Sequence, residues 1–226
     1  METSGLERDD VNFLSLLSGA NRRRLLEGST RAVWPAGTIA YRRGEPPAAF
    51  LLDRGLLRAY WAIPDGRQAT VAFVHRNELV GGSTLFGEPA WANVQVVIES
   101  RLTALDLKRF RKLVSREIQV LSAVARHLMT RVRHDHRLIA VRSLGSIRER
   151  LAYDLLERAC QSQLQVGRLQ INVTQADLAA SIGSSREVVS RALKGFRAAG
   201  IVKTAPGVVR VADPMRLAAI VRDFAM

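Results

Sequence analysis

Apolar side chains along this chain follow three successive rhythms. Over residues 32 to about 107, short apolar runs alternate with glycine-bearing turns, at Trp34-Pro-Ala-Gly37, Arg43-Gly44-Glu45, Asp53-Arg-Gly55, Pro64-Asp-Gly66 and Gly81-Gly82. Strands at this spacing predict a small antiparallel barrel or roll. Ahead of it, residues 6–31 read as helical, with Val11, Phe13, Leu14, Leu17, Leu25 and Leu26 apolar and Arg22-Arg-Arg24 outward. Behind it, the pattern predicts a long helix over about 115–143, a break at Gly145-Ser146, a helix over about 147–160 and a loop over 161–167.

The long helix has a register. Ile118, Leu121, Ala125, Leu128, Val132, Asp135, Ile139 and Arg142 follow one another at alternating steps of three and four, a heptad seam that is apolar until Asp135 and Arg142. So narrow a seam buries best against a twin helix, which predicts a parallel homodimer. Asp135 admits two readings. On the seam, two like charges would oppose each other and disfavour one helix arrangement until compensated. Slightly off it, the carboxylate would form a solvated ion pair with Arg131.

From Val173 the rhythm changes again. Leu178, Ala179, Ile182, Val188, Val189 and Leu193 form one apolar seam between two short helices. Thr174 is placed to cap the first, with Asp177 in its first turn, and Ser184 or Ser185 to cap the second. Gly183 stands where the chain must turn sharply. Phe196-Arg-Ala-Ala-Gly200 ends the second helix on glycine, and the following run reads as two short strands around Pro206-Gly207. This is a winged helix-turn-helix. Glu187, Ser190 and Arg191 share one face near the start of the second helix. Arginine suits guanine O6/N7, glutamate suits cytosine N4, and serine adapts to either.

Charge distribution strengthens the nucleic-acid reading. The 226-residue chain carries a formal net charge of +13. Residues 1–100 are net neutral, whereas residues 101–141 carry +7 and residues 142–226 carry +6. A neutral front and a basic rear suit a sensor joined to a polyanion-binding module. The single cysteine, Cys160, excludes an internal disulfide and a four-cysteine iron–sulfur or zinc site, and its apolar helical surroundings predict a buried structural thiol. His75 is a candidate haem or metal ligand, although a lone histidine near a strand end is ordinarily a plain polar residue. His127, His134 and His136 do not form a ligand pair, so no metal site is assigned. No apolar run approaches membrane-spanning length and no signal peptide opens the chain, so a cytoplasmic protein with no membrane partner is expected. No nucleophile–base set, metal cluster or phosphate-binding glycine loop is present, so no enzymatic activity is expected.

Taken together, these residues resemble the CRP/FNR family of bacterial transcription regulators. The resemblance rests on Pro35-Ala-Gly37-Thr-Ile39, Arg43-Gly44-Glu45, Gly55, Asp65-Gly66-Arg67, Gly81, Arg150-Leu-Ala152, Leu155-Leu156 and residues 174–194. It implies an α+β architecture: an N-terminal antiparallel β-roll of the cyclic-nucleotide-binding, jelly-roll kind over 1–114, a dimerisation helix over 115–143, and a winged helix-turn-helix over 144–226. Arg186-Glu187-Val188-Val189-Ser190-Arg191 matches the family's recognition pattern. The resemblance assigns base reading to Arg186, Glu187, Ser190 and Arg191 on half-sites similar to TTGAT or TGTGA. It assigns the DNA backbone to Thr174, Gln175, Ser184, Ser185 and Lys194. RNA polymerase is the partner it implies for an activator on double-stranded DNA.

The roll departs from the family's cyclic-AMP binders. The ribose-binding carboxylate of their Gly-Glu-Leu segment is replaced by Gly82, their phosphate-binding arginine by Ala92 and its serine neighbour by Asn93. The Thr-Ser pair that meets the adenine is replaced by Asp135-His136. A cyclic phosphate here would lose a charge-assisted contact of about 1.5–3 kcal/mol, so cyclic AMP is not the expected effector. Gly81, Gly82, Ser83, Thr84, Asn93, Asp135 and His136 remain as a candidate pocket for some other effector. The alternative to an effector-controlled regulator is an effector-independent or weakly specific, nucleoid-type binder. Glu187 on the reading face speaks against the weakly specific form, because it repels phosphates unless it meets a base.

Overall fold

The computed structural model describes residues 12–46, 48–66, 68–166, 169–221 and Phe224, with only the backbone described at 83–84 and 161–166. The start of the helix expected from residue 6, with Val11, lies outside these residues, as do Arg67 of the Asp65-Gly66-Arg67 turn and Gly167. The expected N-terminal helix is shorter than its apolar pattern suggests. A 3-10 turn at Phe13–Leu16 is followed by α1 (Gly19–Leu26), with extended backbone at Leu17 and Ser18 between them. Asn12 and Ser18 each cap their own turn, and two caps so close together restart the helix. By Thr30 the chain is already a strand.

Six antiparallel strands make the roll: β1 (Thr30–Trp34), β2 (Ile39–Tyr41), β3 (Phe50–Ala62), β4 (Gln68–Val74), β5 (Leu79–Val80) and β6 (Asn93–Ala104). Their order is β1-β6-β3-β4, with β2 on β6 and β5 on β3. The long strands β3 and β6 bend at register shifts between Leu52 and Leu57. Gly55 sits in that bend with φ +119°, and a Cβ there would lie 2.0 Å from Ser100 Oγ. Phe50, Leu52, Leu57, Val74, Val94 and Leu102 fill the interior. Trp34 meets Phe50 edge-on at 5.8 Å, and Tyr41 stacks on it at 6.4 Å.

The helix expected at 115–143 forms at Ile118–Leu144, and a separate helix not read from the sequence precedes it. α2 (Leu107–Arg116) starts at the Asp106 cap, and α3 (Ile118–Leu144) follows directly. Glu117 between them is extended, and its carboxylate pairs with Arg24 of α1 at 2.6 Å. One face of α3, with Val120, Ala123, Val124, His127, Leu138 and Val141, is buried. Its inner cation, Arg131, donates to Phe73 O and to Glu78 Oε2 at 2.8 Å.

Glu78 is buried. Burial alone would raise its pKa, but Arg131 and His75 outweigh that and hold it below the ordinary 4.5. A carboxylate depressed in the folded state contributes stability above its unfolded value and loses it as pH falls through the folded one. The urea midpoint should therefore drop below about pH 4.5, more steeply for the parent than for Glu78→Gln. Parallel acid limbs for the two proteins would refute the assignment.

α4 (Ile147–Val166) runs through the segment expected to be a loop. Its Gln161-Ser-Gln-Leu-Gln sequence is rich in glutamine and leucine, both good helix formers, and lacks any glycine or proline before Gly167. Then come β7 (Gln170–Asn172), α5 (Gln175–Ile182), α6 (Arg186–Ala198), β8 (Val202–Ala205), β9 (Val208–Val211) and α7 (Pro214–Ile220). Strand order β7-β9-β8 makes the wing three-stranded, where two strands were expected. The C-terminal core joins Leu151, Leu155, Leu178, Val189, Phe196, Val209 and Leu217, distinct from the apolar clusters of the roll. No helix among the described residues is long and apolar enough to cross a membrane.

Candidate nucleic-acid interface

Local hydrogen bonding sets the angle between α5 and α6. Thr174 Oγ1 accepts from Asp177 N at 3.1 Å, and Asp177 Oδ2 accepts from Thr174 N at 3.3 Å, a reciprocal capping box. Gly183 ends α5 in the left-handed region at φ 65°. Of the two serines that could cap α6, Ser185 does so, accepting from Val188 N at 3.4 Å. Ser184 instead donates its backbone N–H to Ala179 O at 2.9 Å. Leu178, Ala179, Ile182, Val189 and Leu193 are buried between the helices, and Val188 is half-buried.

That packing leaves one face of α6 free. Arg186, Glu187, Arg191 and Lys194 are exposed, and Ser190 is half-buried between them. The Glu187 backbone N–H and the Ser185 hydroxyl hold the Glu187 carboxyl below its ordinary value, so it is an anion at the positive end of the helix. Thr174 and Gln175 stand at the start of α5, and Ser184 and Ser185 at the start of α6. Two exposed cations went unnoticed in the sequence. Lys203 on β8 and Arg210 on β9 are cross-strand partners on the wing. The period-two alternation of Val208-Val-Arg-Val211 is the signal that could have found Arg210. The wing is tied to α6 by Arg197 Nη1, which donates to Thr204 Oγ1 at 3.3 Å.

The seam residues of α3 lie opposite its buried face. Ile118 is 76% exposed and Ile139 57%, and Leu121, Ala125, Leu128 and Val132 are exposed with them. Met129, 62% exposed, extends the strip and was missed. Asp135 is not in line with these residues. It is half-buried and pairs with Arg131 at 3.6 Å. Burial raises its pKa, with Arg131 opposing the shift. Arg142 leaves the seam altogether and donates to Ser181 O on α5.

The candidate effector residues are scattered by function. Asn93 Oδ1 accepts from Arg43 N at 3.2 Å and its Nδ2 donates to Tyr60 O at 3.3 Å, so it ties strands together. Ala92 is buried. A Cβ at Gly82 would lie 3.3 Å from Leu128 Cδ2, and one at Gly81, φ +78°, would meet Ala48 O at 2.1 Å. The side chains of Ser83 and Thr84 lie outside the described set, and His136 is exposed. His75, the candidate ligand, is buried with its Nε2 3.0 Å from Glu157 Oε2 on α4. No group of three potential metal ligands forms among the described residues. Cys160 is half-buried on α4, not fully buried as expected.

Comparison with known proteins agrees with both halves. Residues 31–117 match the cyclic nucleotide-binding domain and residues 149–220 the Crp-like helix-turn-helix domain. The cyclic AMP receptor protein of Thermus thermophilus is 30% identical over 197 residues, covering 86% of this chain and 88% of that protein. A CRP-like cAMP-activated global transcriptional regulator of Mycobacterium tuberculosis is 25% identical over 190 residues, covering 82% and 85%. The crystal structure of a CRP-family transcriptional regulator from Thermus thermophilus superposes with a TM-score of 0.72 at 25% identity, covering 84% of this chain and 96% of that one.

Proposed function

The chain belongs to the CRP/FNR family of DNA-binding transcription regulators, and we propose that it acts as a homodimer that reads a palindromic site. The observation that carries this reading is the free face of α6, where the anion Glu187 and the cations Arg186 and Arg191 stand side by side in solvent. A surface built only for phosphates has no use for Glu187, whereas a surface that reads bases does. The exposed apolar strip of α3 supports pairing through that helix. A two-fold axis along it sets two copies of α6 on half-sites about one DNA turn apart.

In this reading residues 1–114 form the sensor, 115–143 the pairing helix and 144–226 the reader. Arg186, Glu187, Ser190 and Arg191 meet base edges. Thr174, Gln175, Ser184, Ser185 and Lys194 meet phosphates, with Lys203 and Arg210 of the wing beside them. Half-sites similar to TTGAT or TGTGA follow from the family's recognition pattern, as does contact with RNA polymerase at a promoter. Cyclic AMP is not the effector we propose, although the relatives above are named for it. A buried Ala92 and a strand-tying Asn93 offer no cation to a cyclic phosphate.

Arg191→Ala should cost about 1–3 kcal/mol at one guanine position and relax the preference there. Lys194→Ala should weaken all sequences alike and lower the salt slope by about one. Selection from random duplexes followed by binding titrations at matched salt reads both effects. An unchanged sequence preference for Arg191→Ala would exclude this reading face.

A further inference from the structure

The reader is docked on its own roll through a ring of buried polar groups. Thr70 Oγ1 on β4 lies 3.2 Å from Ser181 Oγ on α5. Ser181 Oγ donates to Asp154 Oδ1 on α4, and Arg158 Nε donates to Asp154 Oδ2 at 2.7 Å. Just past β4, His75 Nε2 is 3.0 Å from Glu157 Oε2. From the pairing helix, Arg142 donates to Ser181 O. Thr70, His75, Asp154, Glu157, Arg158 and Ser181 are all buried. Phe73, Leu138, Val141 and Ile182 line a small cleft at the same junction.

A junction of this composition can come apart. The apolar core of the reader closes on itself, so undocking exposes the polar ring together with a few apolar side chains, among them Phe73 and Val141. Between α3 and α4 only Gly145 and Ser146 intervene, both outside the helices. With four soft backbone dihedrals, that hinge alone leaves the direction of α6 open. The dock removes the freedom, and Arg142 refers α5, the partner of α6, directly to the pairing helix. Nothing in the dock covers the reading face, because Arg186, Glu187 and Arg191 stay exposed.

We propose that Thr70, His75, Arg142, Glu157 and Ser181 are positioning residues that fix the orientation of α6 relative to the α3 seam, and so set which half-site spacing the dimer accepts. The inference rests on the palindrome-reading dimer of the preceding section. One base pair of added spacing turns a half-site by about 34° around the duplex, so a rigid dock penalises it and a free hinge tolerates it.

The test uses the full-length dimer and the duplex that the parent selects best from a random pool, remade with the half-site separation changed by one, two and three base pairs. A single half-site duplex is the control. The parent should lose about tenfold or more in affinity at two added base pairs. Thr70→Val/His75→Leu, which alters only the roll side of the dock, should reduce that penalty to about threefold or less. Its half-site affinity should stay within about twofold of the parent, showing that the reader is folded. Arg142→Gln, which cuts the tie from α3, should act in the same direction and is decisive if the double variant does not fold. A spacing penalty equal to the parent's in these variants overturns the proposal. So does tighter binding at every spacing, since the dock would then be a restraint on binding. A parent that binds the palindrome no better than the half-site overturns the dimer reading itself.

Discussion

Asp154→Ala should destabilise the protein by about 3–5 kcal/mol, the largest single-residue effect expected from the fold. Asp154 is 2% exposed and is the acceptor for two buried donors, the Arg158 guanidinium and the Ser181 hydroxyl. Removing it leaves a cation stranded at 5% side-chain exposure with no way to reach water. Breaking a buried pair costs far more than the intact pair contributes, because the surviving charge keeps its full desolvation penalty. Adding Arg158→Met should therefore recover most of the loss. Urea unfolding of the single and double variants measures both steps. A single-variant loss below about 1 kcal/mol, or no recovery in the double, would mean that Arg158 finds another partner and that Asp154 is not the keystone of the dock.

Such a cluster could not be read from the chain. Thr70 and Ser181 are 111 residues apart, and neither stands out against the local pattern. The helix-turn-helix was legible because its determinants are local. The Thr174–Asp177 box, the left-handed Gly183 and Gly200, and the Pro206-Gly207 turn each span a few residues. The roll was legible for the same reason, through glycine turns. The break at Glu117 was not, because no glycine or proline marks it. α4 outruns its expected end because a polar run without glycine or proline is as compatible with a helix as with a loop. The apolar members of the heptad seam stay exposed from Ile118 to Ile139, whereas Asp135 is half-buried and Arg142 reaches α5. A straight helix drifts about 20° per heptad from a seven-residue repeat. Over the three heptads from Leu121 to Arg142 that amounts to about 60°, turned toward the buried face. Asp135 thus falls on the flank beside Arg131, and Arg142 reaches α5. Within the single chain Asp135 takes the ion-paired of its two readings, against Arg131.

Val132→Glu should convert the proposed homodimer into monomers, weakening self-association by about a hundredfold or more. Val132 lies in the undrifted middle of the strip and is 42% exposed in the single chain. In a parallel pair its two copies face each other, so the substitution sets two carboxylates at close range in an apolar seam. Val132 is a cleaner choice than Leu128, which also touches the roll beside Gly82. The opposite face of α3 is untouched, so the helix content of the monomer should stay near the parent's. Sedimentation should show a single chain mass at concentrations where the parent is dimeric. Binding to a palindrome should fall to the level of a half-site, since two linked readers gain from effective concentration and one does not. An intact dimer for Val132→Glu would mean that the exposed strip of α3 is not the pairing surface. The copies would then have to meet through the roll or the wing, and the half-site geometry argued from α3 would fall with the seam.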